Sequence, residues 1–324
     1  MNRICIDPIT FWRCHNNKMS PTSPKVIKQL SAAEREEFFD SFDVVFCDCD
    51  GVVWYTLRDF IPGSAQAIGE LQRRGKQLTF VTNNSISSVE EHMQKFAKQA
   101  ALHIDQQQIV HPAQTICDHL KAIGFEGLIY CLATPPFRQL LCDAGFRLTE
   151  EREGLIIKSL GELHQSIFGG EPVQAVIIDV DFNLTATKLM HAQFQLKNPN
   201  CLFLAGAADA LIPFGAGDII GPGAFIDLVA QSTGRQPTVL GKPGEALRQL
   251  LRQHHAQVPA NRVLFIGDSL ASDIGFARAS GYQTLLVLTG GSSKADVASL
   301  SPGHAHMPDY VSDCLGDICG TLIN

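Results

Sequence analysis

Long apolar runs are missing from this chain of 324 residues. No stretch approaches the ~18 uninterrupted apolar residues of a membrane-spanning helix, so no membrane association is expected. Basic clusters are missing as well. The 26 lysines and arginines face 33 acidic residues, for a formal net charge of −7. Without a basic stripe nothing neutralises a row of phosphates, which excludes a general nucleic-acid binder. The first residues carry Arg3, Arg13 and Lys18 but also Asp7 and Pro8, and they lack the apolar centre of a secretory signal. A cytoplasmic location is expected, with a mitochondrial presequence the lesser alternative. The ten cysteines are scattered, and no second pair joins Cys47-x-Cys49 to complete a zinc site. Strand alternation sets those two thiols opposite Asp48 and Asp50, as apolar filler. A reducing interior suits them better than a disulfide scaffold.

What is present is apolar enough, at 45% hydrophobic and 18% charged residues, for two domains. Residues 1–40 read as a flexible N-terminal extension in which Ser31-Ala-Ala-Glu34 forms a capping box opening a short helix through Phe39. From Asp43 a strand–helix rhythm sets in. Strand-like runs are VVFCD (44–48), LTFVTN (78–83), TVLG (238–241), RVLFIGD (262–268) and TLLVL (284–288). Helical patterns follow at 65–74, 245–254 and 273–279. Continuous apolar strands alternating with helices predict a parallel sheet covered on both faces, an α/β Rossmann-like core. A second set, with strands at 127–133, 175–181 and 201–206 and helices at 136–144 and 186–196, predicts a smaller α/β layer inserted in it. The expected division is a core of 41–121 and 237–324 with an inserted cap of 122–236.

Chemistry in such sheets gathers at the carboxyl ends of the strands. Those ends carry Asp48, Asp50, Thr82, Asn83, Lys242 (just beyond TVLG) and Asp268. Asp48 and Asp50 are the unusual pair, because two carboxylates ~4 Å apart repel by roughly 4 kcal/mol at an effective dielectric near 20. A hard divalent cation and a phosphate between them would offset that repulsion, and magnesium, held by a few carboxylates and the phosphate itself, suits the donors. One carboxylate is then a nucleophile toward phosphorus, and the other protonates the leaving oxygen and deprotonates water. Lys242 grips a phosphoryl oxygen. Thr82 donates a hydroxyl, with main-chain N–H groups of the Asn83-Asn84 turn beside it. Gly51 frees the backbone after Asp50. Each motif alone is an ordinary turn; four of them in this order, each closing a strand, are not. Trp54 reads as packing under the cap hinge rather than as a substrate platform.

The stretches FCDCDGVVW, FVTNNS, LGKP and FIGDSLASDI resemble the four motifs of the haloacid-dehalogenase-like phosphatases, within them the subfamily of phosphoglycolate, pyridoxal-phosphate and 4-nitrophenyl phosphatases. DFIPGSAQAI (59–68), residues 221–237 and LTGGSS (288–293) extend the similarity from about Asp43 to the C-terminus. The resemblance implies Asp48 as nucleophile and metal ligand, and Asp50 as general acid/base that lends its backbone carbonyl to the metal. Asp268 would be the remaining magnesium ligand, Thr82 and Lys242 the phosphoryl clamp, and Asp273 a brace for the last motif. Asn83, Asn84 and Asp209 join the substrate-binding set, and a homodimer through the cap is implied as well. The chain departs from the family where Ile86-Ser87-Ser88-Val89 replaces a basic run and where Gly206-Ala207-Ala208-Asp209 replaces Thr-Asn-x-Asp. The function expected is magnesium-dependent hydrolysis of a small phosphorylated metabolite through an aspartyl-phosphate on Asp48. The alternatives are a phosphoprotein or nucleotide phosphatase and a weakly active binding protein.

Overall fold

The computed structural model describes residues 21–56, 58–150, 156–214 and 217–320. Two parallel sheets carry the chain. The larger has seven strands, β1 (Lys25–Val26), β2 (Val44–Cys47), β3 (Gln77–Val81), β4 (Ile109–Val110), β12 (Val263–Gly267), β13 (Gln283–Val287) and β14 (Tyr310–Ser312), in the order β1-β14-β13-β12-β2-β3-β4. The smaller joins β5 (Leu128–Leu132), β6 (Arg147–Leu148), β7 (Ala175–Ile178), β8 (Leu202–Ala205) and β11 (Thr238–Val239) in the order β11-β8-β7-β5-β6. A hairpin of β9 (Leu211–Phe214) and β10 (Gly217–Ile220) stands apart from both. The α/β class and the parallel core are as the sequence predicts.

Strands β2, β12 and β13 are buried at every residue, because helices cover both faces of the large sheet. One face packs Val45, Phe80, Leu264 and Ile266 with Trp54 and Phe96; the other packs Val44, Phe46, Val81 and Phe265 with Leu247 and Leu251. After β2 the chain moves outward through β3 and β4, and it later returns to the other side of β2 with β12. That reversal opens the crevice where ligands gather in such sheets. The ends of β2 and β12 meet there, with the Asp48 N–H donating to the Ile266 carbonyl at 2.9 Å.

Three boundaries differ from the sequence reading. Residues 25–40 are built into the core: Lys25–Val26 pair with Tyr310–Val311, and the helix Ala32–Asp40 buries Phe38 and Phe39. Its Ser31–Glu34 capping box forms as expected. Residues 1–20 lie outside the described part. The strand at 238–239 belongs to the small sheet rather than the core, paired with Leu204–Ala205. It is a two-residue edge strand, exposed at Thr238, and the apolar run that suggested a core strand continues instead into a return crossing, with Leu240 N–H bonded to the Ala205 carbonyl at 2.8 Å. Finally, the helix Pro112–Ala122 packs Ala113, Ile116, Cys117 and Leu120 against Ile129, Ile177 and Leu204 of the small sheet, so the cap layer starts earlier than residue 122.

Candidate active site

The end of β2 places Asp48 against Lys242. The Lys242 ammonium lies 2.8 Å from Asp48 Oδ1 and 2.8 Å from Asp273 Oδ1, at 2% side-chain exposure. Asp48 Oδ1 also accepts the Cys49 N–H at 2.7 Å, which leaves Oδ2 outside both contacts. Cys47 and Cys49 are buried in the core beneath, as apolar filler. Asp273 sits at the π-helical turn Leu270–Gly275, and its Oδ2 accepts the N–H groups of Asp268 (3.1 Å) and Ser269 (3.0 Å). Its two oxygens therefore tie the Asp268 loop to Lys242.

Asp268 follows β12. Its Oδ2 accepts the Gly291 N–H at 2.6 Å and lies between Gly51 and Gly290, where a Cβ at either glycine would overlap it. Gly51 has φ +79°, a second reason for glycine after Asp50. Gly290 and Gly291, which the sequence reading noted only as similarity, are thus part of the site. Asp48, Asp268 and Asp273 offer carboxylate oxygens within 4.8 Å of one another, the one such cluster among the described residues. Burial, then the Asp273 and Asp268 charges, pushes Asp48 well above the usual carboxylate range despite Lys242. Burial and Asp273 push Asp268 up to about 7. Burial pulls the Lys242 ammonium down, but the two carboxylates more than offset it and hold the group above its ordinary value.

An all-oxygen donor set with surplus negative charge suits a hard cation such as magnesium. Both Asp273 oxygens are already bonded, so Asp48 and Asp268 fit it best. The Asp50 carboxylate stands outside this cluster. Asp50 Oδ2 accepts the Asn84 carboxamide N–H at 3.0 Å, and Oδ1 is buried with no protein partner.

The loop after β3 holds the rest. Thr82 is buried, and its hydroxyl accepts the Asn84 N–H at 3.0 Å. The Asn83 carboxamide turns to Lys242: Oδ1 accepts the Lys242 N–H at 2.8 Å, and Nδ2 donates to the Lys242 carbonyl at 3.0 Å and to Asp209 Oδ2 at 2.8 Å. Asp209 comes from the cap, and burial raises its carboxyl above the ordinary range. These residues line one cleft of about 670 Å³ between cap and core. A larger cavity, about 1120 Å³ on the cap near Tyr130 and Lys188, touches none of the converging carboxylates.

Several lining or supporting residues escaped the sequence reading. Asp179 ends the cap strand β7 just as Asp48 ends β2, a signal present in AVIIDVD and passed over. Its Oδ1 accepts from the Ser85 hydroxyl, and its Oδ2 accepts the Ala207 N–H at 2.8 Å. His92 stacks on Trp54 with ring centroids 5.8 Å apart and meets the Asn84 carbonyl at 3.3 Å. Trp54 is buried packing, as expected. Tyr55, Arg58, Leu211, Ile212 and Asp218 also face the cleft.

Residues 45–147 match the haloacid dehalogenase-like hydrolase family, and residues 239–318 match the HAD-hydrolase-like family. Phosphoglycolate phosphatase 2 of Arabidopsis thaliana is 30% identical over 293 residues, 89% of this chain and 96% of that protein. The chain belongs to the haloacid dehalogenase-like hydrolases. Among these hydrolases it falls with the phosphoric monoester phosphatases. The 4-nitrophenylphosphatase of Schizosaccharomyces pombe is 31% identical over 299 residues, 91% of this chain and 99% of that one. The same fold is found in the glycerol phosphate phosphatase of Mycobacterium tuberculosis in complex with magnesium, with TM-score 0.68, 24% identity, and coverage of 91% of this chain and 78% of that one. Among the described residues no helix is long and apolar enough to cross a membrane.

Proposed function

We propose that this hydrolase is a magnesium-dependent phosphomonoesterase for a small phosphorylated metabolite, working through an aspartyl-phosphate on Asp48. The observation that carries the proposal is the pairing of two differently prepared carboxylates. Asp48 has one oxygen fixed by Lys242 and the Cys49 N–H, so the other is aimed and free to attack. Asp50 lines the same cleft and keeps one oxygen with no protein partner, left to serve a leaving oxygen or a water.

In the first step the Asp48 Oδ2–phosphorus bond forms as the ester P–O bond breaks, and Asp50 gives its proton to the departing oxygen. In the second, Asp50 takes a proton from water, the water oxygen bonds to phosphorus and the Asp48–phosphorus bond breaks, releasing inorganic phosphate. Lys242 and Thr82 hold phosphoryl oxygens through both steps, with Asn83 and Asn84 fixing the groups that do so. Asp48, Asp268 and the Asp50 main-chain carbonyl would hold magnesium, which when bound offsets the charge of the phosphoryl group and the carboxylates. The cap over the cleft favours a small substrate. A homodimer through the cap is part of the proposal, supported by Ile220 and Leu228, which are exposed there.

The test is phosphate release from 4-nitrophenyl phosphate by purified protein with magnesium, with chelator and with Asp48→Asn. Turnover that needs magnesium and is lost on substitution is expected. Turnover that survives Asp48→Asn would overturn the proposal.

A further inference from the structure

The leaving group can be located from the hydrogen bonds around Asp50, which by the function proposed above protonates the departing oxygen. Asn84 donates to Asp50 Oδ2, and the Asn84 Oδ1 accepts the Ile86 N–H at 3.1 Å. That pair of bonds fixes Ile86 on the leaving-group side of Asp50. One residue earlier, the Ser85 hydroxyl bonds the cap residue Asp179, whose Oδ1 also accepts the Val180 N–H at 2.6 Å. Val180 is therefore held near Ile86 across the junction of cap and core. Beyond Asp209, the start of the β9–β10 hairpin brings Leu211 and Ile212 to the same cleft, and Tyr55 closes it from the core.

These five side chains are apolar or aromatic, and two are unusually bare for their type: Leu211 is 57% exposed and Tyr55 42%. The hairpin pairs with neither sheet, and Leu211 at its cleft end is left bare. Charge on this side does not favour an anion. Among the described lining residues the cations are Lys242, already bonded to two carboxylates, and Arg58 at the rim. Asp218 and Asp209 line the same cleft, so acidic side chains there outnumber the exposed Arg58.

We infer that the apolar collar of Tyr55, Ile86, Val180, Leu211 and Ile212 selects a phosphomonoester with an uncharged, apolar leaving group, an aryl or alkyl phosphate, over one that carries a second anion. The cleft, at about 670 Å³, has the size of a small-molecule site. Leaving groups of this class bury apolar surface on the collar. A carboxylate there loses hydration and meets more acidic side chains than cations, the one unpaired cation among the described lining residues being the exposed Arg58.

The test compares phenyl phosphate with 4-carboxyphenyl phosphate, by phosphate release with magnesium present. The carboxylated compound has the better leaving group, so chemistry alone would favour it. The collar is expected to reverse that order, with kcat/KM for phenyl phosphate higher by about tenfold or more, the range of a pocket that reads apolar contact. Ile86→Arg is expected to shift the ratio toward the carboxylated compound, and the exposed Leu211→Gln to lower kcat/KM for phenyl phosphate alone. Calorimetric binding of phenylphosphonate and 4-carboxyphenylphosphonate, which are not hydrolysed, supplies the readout independent of turnover. Turnover of both esters without preference overturns the collar and leaves the phosphatase standing. Preferential phenylphosphonate binding without any turnover does the reverse. Equal or no binding of the two phosphonates overturns the collar.

Discussion

The carboxamide of Asn83 holds the main chain of Lys242 at both polar groups, accepting from its N–H at 2.8 Å and donating to its carbonyl at 3.0 Å. The same Nδ2 reaches Asp209 of the cap, so one side chain joins the phosphate loop, the lysine and the lid. Asn83→Ala removes about 1–3 kcal/mol of net hydrogen bonding, and kcat should fall roughly ten- to a hundredfold. Asn83→Asp keeps the acceptor but neither donor, so it is expected not to restore the rate. Steady-state kinetics of the two variants check this; a kcat equal to that of the parent enzyme in either would count against the positioning.

Asp50 is asked to act twice, as acid and then as base. With 4-nitrophenyl phosphate the first task matters little, because nitrophenolate departs without a proton. Asp50→Asn should therefore give a rapid release of nitrophenolate equal to the enzyme present, followed by turnover slower by ~10²–10⁴. Stopped-flow absorbance would record it. A steady trace with no burst would mean that Asp50 does not serve the second step.

The Asp268 carboxylate fits between two glycines, and a methyl at Gly290 would overlap its Oδ2. Gly290→Ala should displace that oxygen while leaving every carboxylate in the chain. Supporting residues of metal ligands typically set affinity by ~10–100-fold, and the magnesium concentration for half-maximal activity should rise by about that much. A magnesium titration of activity is the check, and an unchanged midpoint would remove Asp268 from the metal site.

His111 opens the helix Pro112–Ala122, its Nδ1 accepting the Ala113 N–H and its Nε2 meeting the Ser87 carbonyl at 3.0 Å. Burial, then His92 nearby, lowers its pKa from 6.5 to about 4. The unfolded chain takes up this proton below 6.5 and the folded one only near 4. Its contribution to stability is thus full above pH 6.5 and lost as pH falls toward 4, worth about 3 kcal/mol. Asp179, raised by burial to about 6, works in the opposite sense over the same range. The difference between parent and His111→Gln isolates the histidine: between pH 7 and pH 5 the urea midpoint of the parent should fall further than that of the variant. Parallel shifts in the two proteins would refute it.

The converging carboxylates were legible because Asp48 and Asp268 sit at the ends of fully apolar strands. Asp48 after Val44–Cys47 and Asp268 after Val263–Gly267 have the strongest local signal a parallel sheet leaves in a sequence. Support by distant residues leaves no such mark. Lys25–Val26 is too short to read as a strand, and its partner, Tyr310–Val311, is at the other end of the chain. The helix Val89–Ala100 was passed over although Ser88 and Glu91 form a capping box at its start. Thr238–Val239 looked like core because Leu240 and Gly241 continue an apolar run, yet its partner strand decides its sheet. The sequence offers Asn83 through its main-chain N–H at the turn; that its side chain bonds Lys242 and Asp209 is visible only in the fold.

The pairing of β1 with β14 also bears on how the polypeptide acquires its shape during synthesis. Phe38 packs edge-on against Tyr310, with ring centroids 4.9 Å apart, and the Arg35 guanidinium bonds the Asp317 carbonyl at 2.9 Å. Arg35 and Asp317 are 282 residues apart, so these partners leave the ribosome long after the helix does. Until then the helix Ala32–Asp40 has nowhere to bury its aromatic face against that edge, and closing so long a loop is slow. The nascent chain thus carries an unfinished, sticky margin until they emerge, the condition in which growing chains associate wrongly or are held by chaperones. A chain cut before Tyr310 would keep Asp48, Asp50, Lys242 and Asp268 and leave that margin permanently open.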